Sequence, residues 1–585
     1  MSRLPVLLFA LLLGCPAPPP PPPRALPSPD LLDSHCRDAI GAPRVEQVAD
    51  DVWVAIGYDL ANTTLIRTTA GNVVIDPGMS PKRAEPARDA LQAVSPGPTA
   101  AIVYTHSHID HVGGASVWVE PDTQVWATDR FQDHFFKQYG EFLVAENARG
   151  ARQFGRDLPL TQVPCSALGR KVDIDAALEV GVVLPTHTFS GQHELTVGNT
   201  ILSLVEAHGE TDDQLFVWHA ERKALMPGDN WYRAFPNLYT VRGARPRPVH
   251  AWIDSLDAMR RLEPELLVPS HTVPVRGTAE VAAALRDYRD GIQWVRDAVV
   301  RGANRGQSLD RITAGARLPG HLRDQPALAE LYGQVDWSAR AIYTNELGWF
   351  DGKAHLLYAV APEDRARRTV ALMGGVEAVT AAASAAAAEA DHAWALELYA
   401  LAEAASPERL DRPDALDQQI ATSLEALGAT IANTNGRGYL LQSALERRAG
   451  VVRPSPKPTL SDDFVASIPL PQIFGSMGTR LRPDETMDRH DSVHFVFTDT
   501  QERYVVTIRR GIAEVVAGDP LPGTPAPLAT LTTDAMTWRK LALGIEEGAD
   551  AIKDGRLAVD GSELGLLGFL NRFDKGLDGP GGELP

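Results

Sequence analysis

The chain has 585 residues, 44% of them hydrophobic and 22% charged, with a formal net charge of −19. That length exceeds a single hydrophobic core, so two to four domains are expected. So acidic a surface repels nucleic acid and anionic lipid and argues against both as partners; an anionic substrate then requires a local arginine or metal.

At the N-terminus, Arg3 precedes the apolar run LPVLLFALLLGC, which ends at Cys15. The run is too short to cross a bilayer as a mature helix, and its flanks suit a secretory signal over residues 1–15. LLGC resembles the lipobox of bacterial lipoproteins. That implies lipidation of Cys15, a periplasmic or cell-surface location, and contact with the membrane only through a lipid anchor. Simple secretion with cleavage near Gly14 is the alternative. The stretch PAPPPPPPR reads as a stiff spacer, and residues 16–40 as a proline-rich linker. Export permits a disulfide between Cys36 and Cys165, but nothing in the sequence places the two together.

From Val45 to about Gly277, strand-like runs (VWVAIG, TTLIRT, NVVIDPG, AAIVYTH) mix with the helical patterns PKRAEPARDALQAV and PVHAWIDSLDAMRRL, which predicts an α/β layered domain over 41–315. Residues 316–450 are alanine-rich with helical spacing and read as an all-α domain. Residues 451–463 form a proline-rich linker. In 464–585, VHFVFTDT and RYVVTIRRGIAEVVAGD read as paired strands, and TDAMTWRKLALGIEEGADAIKDG as a helix. Small residues on the alanine-rich helices allow close approach, and their apolar face needs a partner, so a homodimer is expected.

The chemistry is concentrated in YTHSHIDHVGG, residues 104–114. AIVYTHSH is a strand running out into a loop, so His106 and His108 project from its end, followed by Asp110 and His111. Two glycines then allow a sharp turn. Imidazoles and a carboxylate at this spacing suit zinc; divided between two metals they leave an open position for water, the catalytic arrangement.

This motif resembles that of the metallo-β-lactamase superfamily, which implies an αββα sandwich and further ligands from later strand ends. Asp76 of VVIDPG matches a supporting position. In EAHGETDDQLFVW, Glu210 occupies the place of a usual histidine, with His208 as a competitor. Asp229 of ALMPGDNW falls at the metal-bridging carboxylate, and His271 of LLVPSHTVP at the end of another strand. The resemblance implies His106, His108 and Glu210 on one zinc, Asp110, His111 and His271 on the other, and Asp229 between them. Asp110 and Asp229 are the candidate catalytic groups.

Glutamate at 210 resembles the alkyl sulfatase branch, and GYDLANTTLI, NLYTVRGA and LGWFDGKAHLL resemble segments of that family. The domain order agrees: hydrolase, helical dimerisation domain, and a C-terminal α+β domain similar to sterol carrier protein. The resemblance implies two zinc ions per chain and hydrolysis of an amphiphilic alkyl sulfate to alcohol and sulfate by a metal-bridging hydroxide. Arg242 matches a planar cation for the ester's oxyanion, with Tyr239 beside it. Asn147 of VAENAR is a second candidate donor to sulfate. Trp349 and Phe350 are candidates to line the way in for an alkyl chain, and LGLLGFL, 564–570, to wall a lipid tunnel.

Departures mark a divergent member. NWYRAFPNLY keeps Asn237 but lacks the histidines that the family carries there, one of which is a candidate proton donor to the leaving alcohol. Lys353-Ala354 replaces Asn-Pro, and Asp229 stands where the family tends to have glutamate. The alternatives are another hydrolase of the fold, acting on a lactone, β-lactam or phosphate ester, or a non-catalytic lipid-binding lipoprotein.

Overall fold

The structure, a computed structural model, describes residues 26–173, 178–406, 414–450 and 458–574. The signal segment with Cys15, and residues 451–457 of the second linker, lie outside the described residues.

Two sheets form the centre of the first domain. One has seven strands in the order Arg44–Ala49, Val52–Ile56, Thr63–Thr68, Gly71–Ile75, Thr99–Val103, Gln124–Thr128 and His187–Phe189. Its first half is antiparallel, and pairing turns parallel from Gly71–Ile75 onward. The other has six, in the order Val275–Arg276, Leu266–Leu267, Ala224–Met226, Leu215–His219, Thr200–Glu206 and Gln192–Val197.

Alternation along the strands fixes the layers. Val52, Val54 and Ile56 face Leu202, Leu204 and Val217 between the sheets. Trp53 and Ala55 point the other way, onto Ala87 and Leu91 of the helix Pro81–Val94. On the far side, Phe216 and Leu225 pack against Trp252 and Leu256 of the helix Val249–Arg260. The central strands are covered on both faces, which is why Val52–Ile56 and Thr99–Val103 read as near-continuous apolar runs, whereas the edge strand Gln192–Val197 alternates buried and exposed. This is the αββα sandwich.

Three boundaries fall elsewhere than the composition suggests. Residues 29–40 are helical (Pro29–His35 and Cys36–Ile40) rather than linker, because Leu32 and Ile40 are buried with Leu60 and Leu168. Cys36 is bonded to Cys165 there, across 129 residues of sequence. Leu309, Ile312, Val335 and Ile342 share the core of the second sheet's helical layer, so the chain packs as one core across residue 315 rather than breaking there. Part of the second linker is ordered as well: Thr459–Leu460 pairs in parallel with Glu179–Val180.

The alanine-rich block forms Pro362–Leu372, Val376–Ala388, His392–Ala405, Asp414–Thr430 and Thr434–Ala449. The last of these packs on the helix Leu143–Gln153, joined by a buried Arg152–Glu446 ion pair at 2.8 Å. The C-terminal unit is a five-stranded mixed sheet with flanking helices. The single helix expected over its TDAMTWRKLALGIEEGADAIKDG segment is two, Ala535–Ala542 and Gly548–Lys553. In its last helix Leu566 and Phe569 are buried, while Leu564 and Leu567 face outward. It shares a core with the hydrolase's helix Phe131–Phe136, where Phe135 meets Phe464 at 6.5 Å.

Candidate metal centre

The strand Thr99–Val103 ends at the rim between the sheets, and the next residues supply the site. His106 and His108 lie in the loop, and Asp110 and His111 in the one-turn helix Ile109–Val112. The glycines that follow form the turn, and they are needed there for close packing rather than for an unusual backbone angle. Gly113 has φ −69° and Gly114 φ −96°, both ordinary. A Cβ on Gly113 would lie 1.8 Å from the Met79 carbonyl oxygen, and one on Gly114 2.5 Å from that of Pro77.

Two ligand groups face each other. In the first, His106 Nε2 lies 2.9 Å from His108 Nδ1 and 3.8 Å from Asp229 Oδ2. In the second, Asp110 Oδ2 lies 3.3 Å from His111 Nε2 and 3.5 Å from His271 Nε2. Asp229 stands between them: its other oxygen, Oδ1, is 3.1 Å from His271 Nε2 and 3.5 Å from His111 Nε2. Asp229 thus completes the compact first trio, the place expected for Glu210. Glu210 stands farther out, with Oε1 4.0 Å from His108 Nδ1 and its second oxygen on Arg247. His208, the competitor, pairs instead with Glu206 at 2.6 Å.

These residues fit a metal. His111 Nε2, His271 Nε2 and Asp229 Oδ1 are buried and make no hydrogen bond, although they face one another. Such orphaned donors and acceptors are costly unless something binds them. Nitrogen and oxygen ligands in trios with open sides are the arrangement of a catalytic divalent site.

Supporting contacts fix each ring. Asp76 accepts from the Thr105 backbone N–H at 2.9 Å, Thr105 Oγ1 at 2.8 Å and Ser270 Oγ at 2.6 Å, and meets His111 Nδ1 at 2.9 Å. His271 Nδ1 meets the Leu60 carbonyl oxygen at 2.9 Å. Burial holds His106 and His108 well below the ordinary histidine range. Burial also opposes charge on His111, but Asp110, Asp229 and Asp76 overcome it and raise that imidazole well above its ordinary value.

Arg242 is half-buried beside the first trio, with Nη2 3.4 Å from His108 Nε2. Its backbone N–H donates to Gln153 Oε1 at 2.8 Å, which also accepts from Thr240 Oγ1 at 2.9 Å. Its Nη1 donates to Glu146 at 3.1 Å and, with the Gln138 amide turned carbonyl-inward, to Gln138 at 2.9 Å. The guanidinium is thus held from a fixed base behind the His108 ring, against the nitrogen opposite the one that faces the trio, and like Asn147 and Tyr239 it borders neither cavity at the site.

Other expected site residues lie apart. Asn147 is exposed on the helix Leu143–Gln153, whose register turns Glu146 inward in its stead. Tyr239 is half-buried and, like Asn147, borders neither cavity at the site. Trp349 is 71% exposed, stacked edge-to-face on Phe350 at 5.6 Å, and the pair also borders neither cavity. The segment that lacks the family's histidines is core: Trp231, Tyr232 and Phe235 are fully buried, and Tyr232 accepts from the Asn237 N–H at 2.7 Å.

Two features escaped the sequence reading. Arg247 pairs with Glu210 in a space almost closed to water and also donates to the Asn237 carbonyl. His134 is buried beside Asp212 (3.3 Å) and Asp213 (3.7 Å), with Ser107 Oγ 2.8 Å from its Nδ1. The only prior signal for this group was histidine and aspartate in QDHFF and GETDDQ.

A two-trio centre bridged by one carboxylate, at the rim of an αββα sandwich, defines a metal-dependent hydrolase of the metallo-β-lactamase kind. Residues 56–271 match the metallo-beta-lactamase superfamily, 308–450 the alkyl sulfatase dimerisation family, and 458–577 the alkyl sulfatase C-terminal family. The chain belongs to the alkyl sulfatase branch of that superfamily. It is 29% identical over 537 residues to a linear primary-alkylsulfatase of Pseudomonas sp., covering 87% of this chain and 98% of that one. It is also 29% identical over 553 residues to an (R)-specific secondary-alkylsulfatase of Pseudomonas sp., covering 90% and 80%. The solved structure of the stereoselective inverting sec-alkylsulfatase Pisa1 from Pseudomonas sp. superposes with a TM-score of 0.83 at 26% identity, over 92% of this chain and 85% of that one.

Proposed function

We propose that this chain is a dizinc alkyl sulfatase that hydrolyses an alkyl sulfate ester to its alcohol and sulfate. The observation that carries the reading is the placement of Arg242 against a metal centre bridged by Asp229. A divalent metal pair would be held by His106, His108 and Asp229 with Glu210 close by, and by Asp110, His111 and His271, and when bound would supply a Lewis acid and water acidified toward neutrality. A sulfate monoester keeps one negative charge that repels an incoming hydroxide, so a planar cation must hold its oxygens. Arg242 supplies that cation, anchored through Gln153, Gln138 and Glu146. Neutral lactones and β-lactams need no such clamp, which disfavours them.

The dimerisation-family helices over 308–450 support a homodimer. The Cys36–Cys165 bond supports export to an oxidising compartment, in line with a signal over residues 1–15 and lipidation at Cys15.

The test is sulfate release by the purified, zinc-loaded chain from unbranched alkyl sulfates of two to twelve carbons, with His108→Ala and Arg242→Ala as controls. Metal-dependent release that His108→Ala abolishes is the expected result. Zinc bound at two per chain with no sulfate released from any ester overturns the reading.

A further inference from the structure

His134, Asp212 and Asp213 form a third cluster of ligand-grade groups, apart from the two trios. The ligand atoms they offer lie within 4.8 Å of one another. His134 Nε2 and Asp212 Oδ1 are 3.3 Å apart, the same separation that His111 and Asp110 show in the second trio. His134 comes from the helix Phe131–Phe136, and the aspartates from the segment just after Glu210.

Oxygen atoms lacking a donor collect here. Among the described residues, Thr211 Oγ1, Asp212 Oδ1 and both carboxylate oxygens of Asp213 are buried and make no hydrogen bond. Asp213 is only 1% exposed, and its neighbours do not satisfy it. His134 Nδ1 is 3.7 Å away and meets Ser107 Oγ at 2.8 Å instead. Arg245 approaches the other aspartate, Asp212, at 3.8 Å.

A buried carboxylate with neither hydrogen bonds nor a counter-ion is strongly destabilising. Of the two cavities at the site, the smaller, about 10 Å³, is bounded by His134, Thr211 and Asp212 as well as by His108 and Glu210. It has room for about one water. A water brings no charge and too few protons for the orphaned oxygens. A divalent cation offsets both carboxylates and takes up their free oxygens as ligands.

We propose that His134, Asp212 and Asp213 bind a divalent cation additional to those of the two trios. An imidazole with two carboxylates suits zinc or manganese. The ion clips the segment that carries Glu210 to the helix Phe131–Phe136, and Ser107, between His106 and His108, orients the His134 ring. The site does not depend on which ester the centre cleaves.

The test counts zinc bound to the full chain at equilibrium, by dialysis against a series of fixed free concentrations and elemental mass spectrometry. The wild type is expected to level at three ions per chain. Asp213→Asn, which keeps the shape and removes the charge, should level at two or need at least tenfold more zinc for the third. Asp212→Asn should do the same at a side chain that is 41% exposed, where a change is less able to disturb folding. Circular dichroism checks the fold of each variant. A wild-type plateau at two ions, or a third ion that both variants hold at unchanged affinity, overturns the inference. Sulfatase activity is read separately, as sulfate release, so failure of either proposal leaves the other standing.

Discussion

Arg247 holds the carboxylate of Glu210 in a space almost closed to water, the two side chains only 3% and 4% exposed. Glu210 also turns an oxygen toward His108, so the guanidinium decides both the charge and the aim of a candidate metal ligand. Burial pushes the Glu210 carboxyl up to about 7 even with Arg247 opposing it.

Arg247→Met would leave that carboxylate buried and alone, a change that typically costs about 3–5 kcal/mol where the charge persists. Protonation of Glu210 is the cheaper outcome, and a protonated carboxyl is a poor ligand. Metal content after dialysis, read by mass spectrometry, is expected to fall from two ions toward one per chain, with activity down roughly 10–100-fold. Arg247→Lys should recover part of both. Two ions retained at wild-type affinity in the Met variant would show that Arg247 does not position Glu210.

Asp76 acts on the other half of the centre. Four groups converge on its carboxylate, and one of them is the back of the His111 ring. In Asp76→Ala the ring loses its orienting partner, and affinity at the second trio is expected to fall roughly 10–100-fold in a chelator competition. Affinity at the first trio should change far less.

Much of this was legible before the structure. His106, His108, Asp110 and His111 stand close in sequence because one strand end and one helical turn deliver all four. Glu210, Asp229 and His271 required the family pattern, since each arrives from a different strand end. Arg247 was not legible: RPRP reads as an exposed basic turn, and only the fold sets it on Glu210. Asn147 was a candidate by resemblance of VAENAR to a family segment alone; on the helix it is exposed, and one residue of register, about 100° of rotation, turns Glu146 to Arg242 instead. The segment 29–40 looked like linker because prolines and short apolar stretches carry no period, yet Leu32 and Ile40 fill a pocket made by loops distant in sequence.

Loading the metal should release protons. In the metal-free protein burial opposes charge on His111 and His271, but Asp110 and Asp229 raise both above the ordinary 6.5. The shift favours protons on these rings, on His111 above all, that a metal must displace, so apparent affinity rises with pH. Titration calorimetry in buffers of different ionisation enthalpy should register net release. The same shifts have a sign for stability. A raised histidine stabilises the metal-free fold fully below pH 6.5, and that contribution is lost as pH climbs through the raised value. Thermal unfolding of the metal-free chain should therefore weaken on the alkaline side, and metal should abolish the trend. An unchanged melting temperature from pH 6 to 9 would remove this account.

The disulfide links stability to location. Cys36 and Cys165 close 129 residues of chain, and native bonds of this kind typically contribute about 2–5 kcal/mol. The bond also ties down a loop that backs the metal centre. Ala167 O meets His35 Nε2 at 2.7 Å, and Leu168 O accepts from the N–H of Thr272, the residue after His271. Cys36→Ser/Cys165→Ser is expected to lower the melting temperature by several degrees and to weaken metal affinity at the second trio more than at the first. Reductant added to the wild type should reproduce both effects and leave the double variant unmoved. If instead reductant shifts neither protein, the bond contributes nothing to the fold, and the argument from it for an oxidising compartment falls as well.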